Sequence, residues 1–372
     1  IVHEVGHNFF PMIVNSDERQ WSWMDEGINS FVQYLTEELF DNKYPSRGGP
    51  AWGIAGYMRL PKEQLEPIMT NSENIVLFGP NAYTKPATGL NILRETIMGR
   101  ELFDYAFKEY ARRWAFKHPT PADLFRTMED ASAEDLDWFW RGWFYGIDPV
   151  DIAIDTVKYA VMNPDAVPTA PQASTQTMSL ARPLFSGPAA FDDISKQRNR
   201  NDKRIIFQTD LDTSLRDFYW RYTRGLEAYD STFKFQVQAN APASPLSSEE
   251  IAKYQNTNLY EITFANKGGL VMPLIVEFTF EDGTKETEKI PAQVWRKNEN
   301  IVTKVFMTTK KAVSIQLDPL KETADINESN NKWPNGTVAE PSKFNIFKAG
   351  AGRGRGQSSG VNPMQHAMQK GQ

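Results

Sequence analysis

The chain has 372 residues, 40% of them hydrophobic and 12% aromatic, which is enough for two or three packed domains. A net charge of −6 gives no footing to a nucleic-acid partner, and the absence of cysteine excludes disulfides and thiolate metal ligands. No run approaches the roughly 18 apolar residues of a membrane span.

The first predicted element is a helix that carries His3, Glu4 and His7 in the stretch HEVGH. A four-residue spacing puts both imidazoles on one helical face, one turn apart. Two neutral imidazoles so placed can bind one zinc ion at about 2.0–2.1 Å each. Glu4 then sits beside the metal, where it can take a proton from a water held there. A tetrahedral catalytic zinc needs a third protein ligand, and Asp17, Glu18, Asp25 and Glu26 are the candidates. Asp17 and Glu18 lie in the polar connection NSDERQ. Asp25 and Glu26 open a second helical pattern, with Ile28, Phe31, Val32, Leu35 and Leu39 at three-to-four spacing. A carboxylate at the start of that helix, packed across from the first, is well placed to complete the site.

Residues 1–147 read as mostly helical. Phe103, Phe107, Tyr110 and Trp114 form one stripe behind a break at Gly99. Thr120, Pro121 and Asp123 are start signals for a further helix. Ser132 is read as the cap of the next one, which carries Leu136, Phe139, Trp140, Trp143 and Phe144 toward the core. His118 lies just before Thr120, far from the first motif, and is taken as structural or exposed.

The texture changes at Asp148. PVDIAIDTVKYAVM reads as strand, NPDAVPTAPQAST as a linker, and DTSLRDFYWRYTRGLEAY as a helix within a mixed segment ending near residue 254. From 255 to 335 the pattern alternates with period two. Tyr260, Ile262 and Phe264 share one face, as do Val276, Phe278 and Phe280, and Val313, Ile315 and Leu317. Asp282-Gly283 marks a hairpin turn. Such spacing predicts an immunoglobulin-like β-sandwich. DINESNNKWPNG fails as a calcium loop, because Ser329, Asn330 and Gly336 stand where an acid, the glycine and the bidentate Glu belong. Residues 336–372, which include His366, read as a flexible low-complexity tail.

HEVGH, eighteen residues and then Glu26 in WMDEGINSF resembles the zinc aminopeptidases of the aminopeptidase N family. Asp25 stands where that family usually has Asn, and HNFFPM replaces its usual HQWFGN. The resemblance implies His3, His7 and Glu26 as ligands of one Zn²⁺ per chain and Glu4 as general base. NAYTKPATGL resembles the family's segment with the catalytic tyrosine, which implies that Tyr83 donates to the oxyanion, with Pro86 in place of the usual Gly. It also implies a partial, mostly helical thermolysin-like catalytic lobe at 1–147. The mixed segment at 148–254, the sandwich at 255–335 and the tail follow, an arrangement similar to bacterial members with an appended immunoglobulin-like module.

The family's Gly-x-Met-Glu-Asn motif, whose Glu holds the substrate amine, does not occur before His3. The expected partners are therefore peptide substrates and a missing N-terminal portion of the same polypeptide. The residues assign no compartment, and the bacterial periplasm or cell exterior is the one favoured. The expected activity is zinc-dependent removal of N-terminal residues from peptides. Two other readings stand beside it. One is a metal-binding pseudoenzyme or scaffold acting through the sandwich. The other is a zinc hydrolase of a non-peptide bond such as an epoxide.

Overall fold

A computed structural model describes residues 1–46, 48–161, 193–215 and 257–334. The proline-rich linker, most of the helix expected near residues 212–229, and the tail with Gly336 and His366 lie outside the described residues.

The first helix, α1 (Val2–Gly6), is followed by a wide helical stretch, Asn8–Ile13, that Pro11 interrupts. Proline has no N–H and crowds the preceding residue out of the helical region, and Phe10 accordingly adopts φ −126°, ψ 104°. A wide turn, Trp23–Gly27, runs without a break into α2 (Ile28–Phe40). The short α3 (Ala55–Met58) follows, and then the turn Gly79–Thr84 leads into α4 (Lys85–Ile92). Gly99, at φ +83°, sets the chain for α5 (Arg100–Trp114). Phe103 and Tyr110 of α5 are fully buried, and Phe107 and Trp114 pack against the same core.

α6 (Pro121–Ser132) opens with a complete capping box between Thr120 and Asp123. Ser132 behaves differently from its sequence reading. It is the last residue of α6, and its hydroxyl accepts from the Glu134 N–H in a turn. The next helix, α7 (Asp137–Phe139), starts five residues later and continues as Trp140–Phe144. Its five expected core residues are all buried.

α2 also departs from its expected stripe. Ile28 and Phe31 are buried, but Leu39 is 48% exposed, while Tyr34 and Glu38 are enclosed. The cause is α8 (Ile194–Asn201), which packs on that flank and sets Lys196 Nζ 2.6 Å from Glu38 Oε1. The same helix sends Arg198 to Glu95 at 2.7 Å, and Arg100 of α5 reaches Asn199. A last short turn of helix, α9, spans Gln208–Leu211.

The remainder forms two antiparallel sheets. One has the order β1 (Ile152–Val161), β2 (Asn258–Asn266), β5 (Ile301–Thr308). The other runs β4 (Lys285–Ile290), β3 (Leu274–Phe280), β6 (Ala312–Leu317), β7 (Lys332–Trp333). They pack face to face, with Phe278 lying 5.2 Å from Phe306 and 5.9 Å from Tyr260 between ring centroids. Tyr260, Ile262 and Phe264 point inward, as do Val276, Phe278 and Phe280. In β6 the alternation slips. Thr279 pairs with Ser314 but Phe280 pairs with Ala312, so Val313 is bulged out and Ala312 takes the inward place. Helices and sheets are tied by Arg296–Asp135 at 2.6 Å, by Thr96 donating to Glu322, and by the Arg59 guanidinium donating to the Ile326 carbonyl. Among the described residues no helix is long and apolar enough to cross a membrane.

Candidate metal centre

α1 and its C-cap residue supply two imidazoles, His3 and His7, and the turn before α2 supplies a carboxylate. They meet because the two helices approach closely at a glycine. A Cβ on Gly6 would lie 1.9 Å from Asn29 Oδ1, and Asn29 Nδ2 donates to the His3 carbonyl at 2.7 Å. Only Gly at position 6 of HEVGH allows that approach.

His3 Nε2 lies 2.9 Å from Glu26 Oε2, and His7 Nε2 lies 3.4 Å from the same oxygen. One ligand atom from each of His3, His7 and Glu26 can be chosen so that all three lie within 4.8 Å of one another. Both rings turn the other nitrogen outward. His3 Nδ1 faces Gln33 Oε1 at 2.9 Å, and His7 Nδ1 faces the Phe10 carbonyl at 3.0 Å. That carbonyl is available because Pro11 turns the chain out of the helix. Asp25 Oδ1 lies 2.8 Å from the same His7 nitrogen, and burial together with the adjacent Glu26 charge pushes Asp25 up to about 7.

This donor set fits a single zinc ion. At ligand distances near 2.0–2.1 Å a tetrahedron has edges of about 3.3–3.4 Å, close to the two separations to Glu26. With Nδ1 as the donating nitrogen, each ring keeps its Nε2 lone pair for the ion.

Tyr83 sits in the turn before α4. Its ring stacks on His3 at 5.8 Å and meets Phe78 edge-on at 6.1 Å. Desolvation, followed by the nearby Glu26 carboxylate, pushes its phenol well above the ordinary range. A second close approach holds it there. A Cβ on Gly27 would fall 2.4 Å from Pro86 Cγ and 2.8 Å from the Ala82 carbonyl, so the Glu26 turn lies directly on the Tyr83 segment. Pro86, an oddity in the sequence, is a buried part of that contact. Glu4 is exposed on α1, and its charge is among those acting on Tyr83. His118 is exposed, with Nδ1 3.1 Å from the Asn15 carbonyl, and takes no part in the cluster.

Asn29, Gln33 and the Phe10 carbonyl were not singled out from sequence. Asn29 and Gln33 left a weak trace. Positions 29 and 33 are four apart on α2, just after the Glu26 turn, and these polar residues interrupt its apolar pattern. A groove of about 1190 Å³ between α6–α7 and residues 292–300 contains none of these residues and is separate from the cluster.

Residues 1–143 match the family described as Peptidase family M1 domain. Aminopeptidase M1-B of Oryza sativa subsp. japonica is 24% identical over 148 residues, covering 38% of this chain and 17% of that protein. Glutamyl aminopeptidase of Bitis rhinoceros is 26% identical over 184 residues, covering 46% and 19%. The chain thus spans under a fifth of the length of these relatives. Among solved structures, an M1 zinc metallopeptidase from Deinococcus radiodurans bound to a Tyr-Ser-Ala substrate aligns with TM-score 0.32 at 22% identity, covering 39% of this chain and 32% of that one. Legionella pneumophila aminopeptidase A in complex with aspartic acid aligns with TM-score 0.45 at 10% identity, covering 87% and 26%. The likeness is confined to the first part of the chain, where residues 1–143 are similar to the M1 peptidase domain and the matched relatives are named as aminopeptidases.

Proposed function

We propose that this chain carries the zinc-binding part of an aminopeptidase that hydrolyses the first peptide bond of peptide substrates. The observation that carries the reading is the convergence of His3, His7 and Glu26 beside the Tyr83 hydroxyl. His3 Nε2, His7 Nε2 and a Glu26 oxygen would hold the ion. Zinc bound there would polarise the scissile carbonyl and acidify a water. The Glu4 carboxylate takes the proton of the attacking water and returns it to the leaving amine. The Tyr83 hydroxyl donates to the carbonyl oxygen as negative charge builds on it. The Phe10 carbonyl accepts from His7 Nδ1 and holds the ring in place, with the Asp25 carboxyl beside the same nitrogen.

Recognition of the free amine is proposed to come from a neighbour packed over α1. In support, Val2, Val5, Phe9 and Met12 present an exposed apolar face along and beyond α1, the kind of surface that a packed neighbour covers.

The test is metal analysis together with hydrolysis of an aminoacyl-anilide and its amine-blocked analogue. One zinc per chain is expected, lost in His3→Ala, His7→Ala and Glu26→Ala. Full zinc retention in Glu26→Ala would remove Glu26 as the third ligand.

A further inference from the structure

We infer that Gln33 and Glu37 form a relay on α2 that decides which nitrogen of His3 faces the metal. The inference rests on the zinc reading above and concerns positioning residues that touch neither metal nor substrate.

Gln33 Nε2 donates to Glu37 Oε1 at 2.7 Å, and Gln33 Oε1 lies 2.9 Å from His3 Nδ1. The positions are four apart, so the two side chains meet on one helical face. An ionised carboxylate only accepts hydrogen bonds, so the group of Gln33 facing Glu37 must be its NH₂. The carbonyl end of the amide is thereby committed to His3. That oxygen also only accepts, so His3 must carry its proton on Nδ1, which leaves the Nε2 lone pair free.

The direction matters because Glu26 pulls the other way. Its Oε2 lies 2.9 Å from His3 Nε2. In the metal-free protein this carboxylate favours a proton on Nε2, the tautomer that cannot bind an ion there. An amide free to turn over would support that tautomer by offering its NH₂ to Nδ1. Glu37 blocks the turnover. The ligand is held ready without a second carboxylate in direct contact with His3, so no further negative charge is placed against that ring.

The variants are Glu37→Gln, which keeps size but frees the amide at position 33 to turn, and the exchange Gln33→Glu with Glu37→Gln. In the exchange a carboxylate accepts from His3 Nδ1 and from the new amide, so the lock is rebuilt with its parts reversed. Zinc affinity is read by chelator competition, and the His3 tautomer by imidazole ¹⁵N shifts in the metal-free protein. Glu37→Gln is expected to weaken zinc about 10-fold, the low end for loss of an outer partner, and to move His3 toward the Nε2–H form. The exchange is expected to restore both. Unchanged affinity and tautomer in Glu37→Gln, or an exchange no better than Glu37→Gln, overturns the relay. His3→Ala separates the two levels. Zinc retained in that variant rejects the metal site itself, while the His3 tautomer of the metal-free native chain and of Glu37→Gln still reports on the relay.

Discussion

Glu4→Gln keeps the size of the side chain and removes its proton-accepting carboxylate. Zinc is expected to stay bound while peptide hydrolysis falls by at least ~10²-fold, checked by metal content and steady-state rates on one preparation. Tyr83→Phe is expected to lower kcat by about 10²–10³-fold with a smaller change in KM, and an effect confined to KM would reduce Tyr83 to a wall of the cleft. Lys85, beneath the tyrosine turn, titrates with a definite sign. Its ammonium is buried, donates to the Gly146 carbonyl and lies over the Trp143 ring, and burial lowers it from 10.5 to about 8. Between pH 8 and 10.5 the folded chain therefore binds fewer protons than the unfolded one, so stability rises with pH across that window. The contribution is complete above 10.5 and is lost as pH falls through 8. It is worth on the order of 3 kcal/mol. Urea unfolding from pH 7.5 to 11 is expected to show this slope in the native chain and a flatter one in Lys85→Met. At this scale the sequence was legible where chemistry requires fixed spacing, as in His3, His7 and Glu26. It was silent where a partner is a backbone group, as with the Phe10 carbonyl, because every residue offers one.

Helix α8 could not be read from its own composition, since Ile194–Asn201 has almost no apolar face. What docks it is ionic. Lys196 is enclosed between Glu38 and Asp193 at 2.6 and 3.4 Å, and burial lifts Glu38 to about 7 even with the ammonium beside it. Removing the ammonium leaves Glu38 buried without its counter-ion, at the cost of a lone charge or of a proton taken up. Lys196→Met is expected to cost about 3–5 kcal/mol, with much of the loss recovered when Glu38→Leu is added, as read by chemical denaturation of both single variants and the double. Full additivity of the two losses would show that the pair does not hold α8 to α2. α5 and α6 contrast with this. Their apolar stripe and capping box are local signals, and they appear in the structure where the sequence set them. Leu39 and Val313 show the limit of periodicity. One was displaced by a helix docking from 150 residues away, the other by a bulge, and neither event leaves a mark within its own segment.

Across the whole molecule the apolar residues around α1 and the sheet pairing carry the main consequences. Val5, Phe9 and Met12 are 58%, 58% and 62% exposed, so the 372-residue chain studied alone is expected to self-associate. Light scattering of the native chain against a variant with Val5→Ser, Phe9→Ser and Met12→Ser checks this, and equal association in both would place the sticky surface elsewhere. Helical and strand-rich regions were both readable, since each has its own period. The partner of β1 was not. Val161 pairs with Asn258, about 100 residues later, and a strand does not encode the distance to its neighbour. That pairing sets a timetable for synthesis. At about 5–20 residues per second, β1 leaves the ribosome roughly 5–20 seconds before the strand that completes it. For that interval the nascent chain carries an unclaimed ten-residue edge beside an already synthesised helical region, and any chaperone that attends this protein has its work concentrated there.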